Sequence, residues 1–182
     1  MTSPNPFSPA AVKIVTLAEA QRRAEAWRVD EKTIAYANGC FDLFHIGHLR
    51  TLESARQEAD VLVVGINGDK SARQLKGPGH PIVAERERAE IVAALACVDL
   101  VVVFQELSSL AVIQALKPDV WAKGGDYNIG TVNQAERAYV EGYGGRVVLG
   151  ERVTGRSSTD TIARIKRLPD TGRQDRSTRG EA

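Results

Sequence analysis

Residues 33–67 read TIAYANGCFDLFHIGHLRTLESARQEADVLVVGIN, with an apolar run at each end of the stretch. The runs at 33–38 and 60–67 are short and apolar, and the second is apolar almost without a break. Such runs are typical of strands that are covered on both faces, as in a parallel sheet. Between them a helix is predicted over 47–58, because apolar residues recur there at three-residue spacing, at Leu49, Leu52 and Ala55. The stretch therefore predicts a strand–helix–strand unit with parallel strands.

The same alternation continues along the chain. Further strands are predicted at 99–104, 119–124 and 146–150, and further helices at 16–28, 84–96, 108–116, 132–142 and 159–167. Alternating strands and helices with right-handed crossovers give a doubly wound, five-stranded parallel α/β sheet of the Rossmann-like type. Such sheets bind ligands beyond the carboxyl ends of their strands, near the point where the strand order reverses.

The chain length of 182 residues favours one domain, which we predict over residues 13–168. Residues 1–12 carry three prolines and are expected to form a flexible arm. Residues 169–182 are polar and lack periodicity, so we expect a disordered tail.

Composition excludes several classes of protein. The 24 Lys and Arg residues against 23 Asp and Glu residues argue against a general nucleic-acid binder. Cys40 and Cys97 form no metal-ligand spacing, and two isolated thiols suit a reducing compartment. The N-terminus lacks the pattern of a secretory signal, and no apolar run approaches the ~20 residues that span a bilayer. We therefore expect a cytoplasmic protein without nucleic-acid or membrane partners.

The loop after the first predicted strand contains the most unusual motif, His45-Ile46-Gly47-His48. The G-x-G-x-x-G and G-x-x-x-x-G-K-[ST] patterns are absent, which disfavours an NAD-dependent oxidoreductase and a P-loop enzyme. A helix that begins at this motif would offer unpaired N–H groups and the positive end of its dipole, and each histidine adds a donor. Gly47 would let a ligand approach the backbone closely. The motif favours a polyphosphate site, and the alternative is that one histidine caps the helix while the other is solvated.

The motif NGCFDLFHIGH at 38–48 resembles the first motif of the cytidylyltransferase-like nucleotidyltransferases, a superfamily with an H-x-G-H signature. Further similar segments follow in family order, at 65–77, 81–99, 116–127, 144–149 and 155–165. Within the superfamily, Lys123-Gly124-Gly125-Asp126-Tyr127 and Leu75-Lys76-Gly77 look most like D-glycero-D-manno-heptose 1-phosphate adenylyltransferases. Since the chain has no room for the sugar kinase that is often fused to them, it resembles their stand-alone form.

The resemblance implies that AMP passes from ATP to heptose 1-phosphate, giving ADP-heptose and pyrophosphate. It also implies Mg²⁺ that accompanies the triphosphate, without a predicted set of protein ligands, and a homodimer. The nearest rival is a cytidylyltransferase that uses CTP and glycerol 3-phosphate or a related polyol or sugar phosphate. A regulatory nucleotide-binding domain without catalysis is disfavoured, because the histidine pair and Lys76 are intact.

The resemblance also implies roles for individual residues. The predicted catalytic residues are His45, His48 and Lys76. The predicted nucleotide-binding residues are Cys40, Phe41, Gly47, Arg88, Lys123, Ser157, Ser158 and Thr159. The predicted acceptor-binding residues are Asp42, Gly125 and Asp126. Two of these assignments have simpler alternatives. Asp42 could be a turn residue, and Ser157 with Asp160 could do no more than cap a helix. His80 is given no role.

Overall fold

The computed structural model describes residues 10–150, 153, 155 and 157–169. The strands are β1 (Ile14–Val15), β2 (Ile34–Gly39), β3 (Val61–Asn67), β4 (Leu100–Phe104), β5 (Val120–Lys123) and β6 (Arg146–Leu149). The helices are α1 (Leu17–Val29), α2 (Ile46–Gln57), α3 (Asp69–Lys76), α4 (Glu85–Ala93), α5 (Leu110–Leu116), α6 (Gln134–Gly142) and α7 (Ser158–Lys166). A short 3-10 helix at Ala11–Lys13 precedes β1.

The strands form one sheet in the order β1-β4-β3-β2-β5-β6, and each neighbouring pair is parallel. The central strand β2 pairs with β3 on one side and β5 on the other, so Tyr36 lies opposite both Val63 and Trp121. After β2 the chain builds the sheet outward through β3 and β4, and then returns to the far side of β2 with β5. The strand order therefore reverses between β2 and β5, which is where a ligand site is expected.

Helices cover both faces of the sheet, and the core has two layers. Successive side chains of β2 alternate between them: Ala35 and Ala37 pack with Leu52 of α2, whereas Ile34 and Tyr36 pack with Ile113 of α5. These side chains are almost completely buried. The two covered faces explain why the strands were apolar at nearly every position, and they confirm the doubly wound α/β prediction.

The five predicted strands are present, but the sheet has a sixth strand, β1, that was not predicted. It has two residues and pairs only with β4 at the edge of the sheet, so it is too short to show a pattern of apolar residues in the sequence. Helix α3 was also missed, because its sequence DKSARQLK buries only Ser71 and Ala72 and shows no apolar periodicity.

The ends of the chain were assigned from composition alone. Residues 10–12 of the predicted arm belong to the described fold, where Ala10 is buried against the core. Residues 1–9, and residues 170–182 of the predicted tail, lie outside the described residues. Within the described part of the chain, no helix is long and apolar enough to cross a membrane.

Candidate active site

Two adjoining cavities lie at the point where the strand order reverses. The larger, which we call the strand cavity, has a volume of about 480 Å³ and lies at the carboxyl ends of β2 and β5. The smaller, which we call the helix cavity, has a volume of about 390 Å³ and lies at the N-terminal ends of α2 and α7. The cavities share the lining residues His48, Thr51, Lys76, Gly124, Asp126, Ser158 and Thr159. They therefore form the two compartments of one site.

The two histidines of the H-x-G-H motif begin helix α2. The backbone N–H of Gly47 donates to Nδ1 of His45 at 3.1 Å, and the backbone N–H of His45 donates to Nδ1 of His48 at 3.4 Å. The imidazole rings are stacked, with centroids 3.8 Å apart. A neutral imidazole whose Nδ1 accepts a hydrogen bond carries its proton on Nε2. Capping thus leaves an Nε2–H donor on each ring, so capping and ligand binding are compatible roles.

Both imidazoles are held neutral in the free protein. Burial lowers the pKa of His48 to about 3, and the neighbouring His45 and Lys76 act in the same direction. Burial also lowers the pKa of His45, against a smaller opposite effect of Asp126. Each ring is therefore a neutral hydrogen-bond donor at neutral pH, and a bound polyphosphate would favour the protonated form.

This arrangement predicts a pH dependence of stability. Between pH 6.5, the ordinary pKa of histidine, and about pH 3, the unfolded chain binds a proton at His48 that the folded protein does not. The free energy of unfolding therefore falls as the pH falls below 6.5. Between pH 7 and pH 5, we expect the free energy of unfolding of the wild type to fall by about 1–2 kcal/mol more than that of His48→Asn. Urea denaturation at both pH values measures this difference, and equal losses in the two proteins would contradict it.

A second helix begins at the helix cavity. Ser157 caps α7 by accepting a hydrogen bond from the Asp160 N–H at 3.0 Å. The hydroxyl of Ser158 donates to the carbonyl of Asp42 at 2.6 Å, which ties α7 to the loop between β2 and α2. Thr159 lines both cavities. The positive ends of two helix dipoles thus lie at the same cavity, which favours a multiply charged anion there.

Lys123 places a buried cation at the end of β5. Its side chain is almost fully buried, and its Nζ donates to Oδ1 of Asn38 at 3.3 Å. Nζ also lies 4.7 Å from the centroid of the Tyr127 ring. Burial lowers the pKa of Lys123, against opposite effects of the Glu136 and Asp126 carboxylates. Among the described residues no carboxylate forms an ion pair with Lys123, so its charge is free to pair with an anionic ligand.

Asp42 is buried and holds the segment 80–83 against the site. Its carboxylate accepts hydrogen bonds from the backbone N–H groups of Ile82 and Val83, at 2.9–3.0 Å, and pairs with Nδ1 of His80 at 2.9 Å. Burial tends to raise the pKa of Asp42, but these bonds outweigh it and the pKa lies below its ordinary value. Asp42 lines the strand cavity, yet both of its oxygens already accept hydrogen bonds from this segment.

Arg88 differs from the other predicted site residues, because it lines neither cavity. Its guanidinium is buried and donates to the carbonyls of Val83, Cys40 and Asn67. It also pairs with Asp69 at 2.8 Å. Arg88 therefore fastens the ends of β2 and β3 to α3 and α4 from behind the site. Direct contact between Arg88 and a phosphate remains a prediction from the sequence.

The remaining predicted site residues all line one or both cavities: His45, Gly47, His48, Cys40, Phe41, Lys76, Gly125, Asp126, Ser157, Ser158 and Thr159. Burial raises the pKa of Cys40, which keeps it a thiol and suits a packing role. Phe41 and Leu43 adopt positive φ angles of 50° and 46°. Such strained backbone is found where a loop must hold a particular shape, as at ligand sites.

Several lining residues were not predicted: Asn38, Thr51, His80, Asn133 and Glu136. Thr51 could have been found, since it lies one helical turn after Gly47 and donates to the Gly47 carbonyl at 3.1 Å. Asn38 also had a signal, as the polar end of an apolar strand. Glu136 and Asn133 had none, because α6 reaches the site only through the tertiary fold.

Comparison with known proteins shows the family to which the chain belongs. Residues 36–168 match the family model described as cytidylyltransferase-like. The chain is 52% identical over 134 residues to the bifunctional protein HldE of Syntrophotalea carbinolica, covering 74% of this chain and 27% of that protein. It is 47% identical over 161 residues to HldE of Acidiphilium cryptum, covering 88% of this chain and 33% of that protein. The chain thus spans about a third of the length of these relatives.

Solved structures share the fold. A lipopolysaccharide core biosynthesis protein from Thermoplasma volcanium aligns with a TM-score of 0.58 and 26% identity, covering 67% of this chain and 98% of that one. A pantoate-beta-alanine ligase from Francisella tularensis aligns with a TM-score of 0.54 and 13% identity, covering 86% of this chain and 80% of that one, and this likeness concerns the fold alone. The family expected from the H-x-G-H motif is confirmed by the match over residues 36–168, and the chain belongs to the cytidylyltransferase-like family.

Proposed function

We propose that the chain is a nucleotidyltransferase that transfers AMP from ATP to D-glycero-D-manno-heptose 1-phosphate, releasing pyrophosphate. The observation that carries the transfer reaction is the pair of histidines whose Nδ1 atoms accept backbone hydrogen bonds, at a cavity with two helix N-termini. The heptose acceptor is supported by the Lys123–Tyr127 segment, which resembles heptose 1-phosphate adenylyltransferases. Identity of about 50% to proteins named HldE supports the same choice.

The two cavities suggest how the substrates divide the site. We place the triphosphate in the helix cavity, where Thr159 and the N-terminus of α7 would bind its distal phosphates. The acceptor would occupy the strand cavity, with its phosphate at Lys123. His48 and Lys76 line both cavities, so they would lie beside the α-phosphate where the two substrates meet.

The transfer reaction does not require a general base. An oxygen of the acceptor phosphate attacks the α-phosphorus in line, a new P–O bond forms, and the bond to pyrophosphate breaks. Because the nucleophile is already an anion, catalysis rests on positioning and on stabilising charge that moves toward the leaving pyrophosphate. The two Nε2–H groups and the Lys76 ammonium would supply that stabilisation.

Mg²⁺ would enter with the nucleotide and neutralise part of the polyphosphate charge. Among the described residues no group of three His, Cys, Asp or Glu side chains could hold a metal ion. Mg²⁺ keeps several waters and binds substrate phosphates with few protein ligands. Asp126, a carboxylate that lines both cavities, is the residue we place nearest to such a complex.

Pyrophosphate release, measured over a panel of nucleotides and phosphate acceptors, tests the proposal. We expect the highest kcat/KM with ATP and heptose 1-phosphate. Preference for CTP with glycerol 3-phosphate would select the rival cytidylyltransferase. Nucleotide binding without any pyrophosphate release would indicate a regulatory domain instead.

Lys123→Met should separate activity from stability. The variant removes a buried charge that forms no ion pair among the described residues, so we expect the free energy of unfolding to stay the same or rise. We expect kcat/KM for the acceptor to fall at least about tenfold, since a charge-assisted hydrogen bond to phosphate is lost. Thermal melts and steady-state kinetics measure both. A stable variant with unchanged kinetics would remove Lys123 from the site.

A further inference from the structure

Glu136 is a buried carboxylate in the first turn of α6, with only 3% of its surface exposed, and it lines the strand cavity. Acidic side chains are almost never buried so completely unless they are paired. Glu136 and its neighbour Asn133 line the strand cavity and not the helix cavity. The carboxylate has no place in the transfer chemistry described above.

One oxygen of this carboxylate is anchored by the protein. Oε1 accepts hydrogen bonds from the Ser108 hydroxyl at 2.8 Å and from the Ser109 backbone N–H at 2.6 Å. Within the described residues, Oε2 has no hydrogen-bond partner. Two donors on the same oxygen fix the orientation of the carboxylate and leave Oε2 available to a donor in the cavity.

Asn133 adds a donor beside Glu136. Its side-chain Oδ1 caps α6 by accepting from the N–H groups of Ala135 and Glu136, at 3.0 and 3.2 Å. The amide therefore presents its Nδ2 group to other partners. A rigid acceptor and an amide donor side by side match a hydroxyl group, which both donates and accepts.

Charges of both signs line the strand cavity. Lys123, Lys76 and His48 can hold a phosphate, whereas a carboxylate would repel one. A ligand that matches both the cationic side chains and the carboxylate has an anion at one end and hydroxyl groups at the other.

We propose that Glu136, with Asn133 beside it, recognises the hydroxyl groups of the acceptor at the end remote from its phosphate. The inference rests on the proposed function for the placement of the phosphate at Lys123. Glu136 thereby sets the direction in which the acceptor lies and selects polyhydroxylated phosphates over simple phosphate esters. The anchoring to Ser108 and Ser109 serves this role, because it holds the carboxylate in one position.

Binding of two phosphate esters tests the proposal without requiring turnover. Heptose 1-phosphate carries hydroxyl groups, and methyl phosphate carries the phosphate without them. Their dissociation constants are measured by ligand-detected NMR on the wild type, Glu136→Gln and the matched control Glu141→Gln. Glu141 lies on the same helix but is exposed and pairs with Arg137. The affinity for ATP is measured in parallel.

We expect Glu136→Gln to weaken heptose 1-phosphate binding about tenfold or more, the range for a hydrogen bond to a charged group. Methyl phosphate and ATP should bind within twofold of the wild type, and Glu141→Gln should change nothing. Equal weakening of the binding of both esters would show that Glu136 has only a structural role, and would overturn the inference. Weakened ATP binding with unchanged heptose 1-phosphate binding would assign this part of the cavity to the nucleotide, and would also overturn it.

The two proposals fail in different ways. A wild type that binds heptose 1-phosphate through Glu136, but releases no pyrophosphate with ATP or CTP, would overturn the transfer reaction and leave the hydroxyl subsite in place. A wild type that binds no sugar phosphate would overturn both.

Discussion

Replacing His48 with alanine is expected to lower kcat at least about a hundredfold, the usual effect of removing one donor that stabilises developing charge. The structure explains why this donor is effective. The backbone fixes Nδ1 of His48 as an acceptor, so Nε2–H is available to the ligand, and His48 lines both cavities. Single-turnover kinetics with ATP and heptose 1-phosphate measure the chemical step directly.

The control for this experiment is Arg50→Ala on the same helix. Arg50 is exposed, pairs with Glu53 and lines neither cavity, so its loss should leave kcat within twofold of the wild type. Circular dichroism should show that both variants keep their fold. If folded His48→Ala turned over at the wild-type rate, the histidine pair would have no part in transfer.

Replacing Arg88 with methionine is expected to lower the free energy of unfolding by about 3–5 kcal/mol. The guanidinium donates to three backbone carbonyls and to Asp69, and the variant would leave these acceptors without that donor. Since domains are stable by only about 5–15 kcal/mol, the loss would be a large fraction of the total. Urea denaturation measures it, and activity at low temperature should fall because the loop that holds Cys40 and Phe41 loses its support.

Arg86→Met is the matched control for this second prediction. Arg86 lies on the same helix, two residues earlier and exposed, and its replacement should change stability by less than about 0.5 kcal/mol. If Arg88→Met proved as stable as Arg86→Met but inactive, Arg88 would act on a substrate phosphate, as the sequence resemblance implied. The experiment thus decides between a supporting role and a direct one.

Much of the fold could be read from the sequence because its strands are buried on both faces. Burial on two sides requires nearly unbroken apolar runs, and 60–67 and 99–104 provide them. The prediction failed where burial leaves no pattern. Strand β1 has only two residues, and α3 is a charged helix that packs through two small side chains.

The site was predictable in part for a related reason. Residues that carry chemistry in a local motif, such as His45 and His48, lie close together in the sequence, so their spacing identifies them as candidates. Glu136 and Asn133 lie on a helix that follows β5, and nothing local distinguishes them from solvated polar residues. Arg88 and Asp42 were noticed, but their hydrogen-bond partners come from other segments of the chain.

By itself the sequence determined the α/β class, the family and the H-x-G-H motif, because periodicity, composition and short spacings are local properties of the chain. Only the tertiary structure decided that His80 binds Asp42, that Arg88 supports the strand ends from behind, and that Glu136 lies in the same cavity as Lys123. The physical reason is that a parallel sheet gathers the carboxyl ends of strands far apart in sequence at one edge. The partners of a side chain there depend on strand order, which local patterns do not specify.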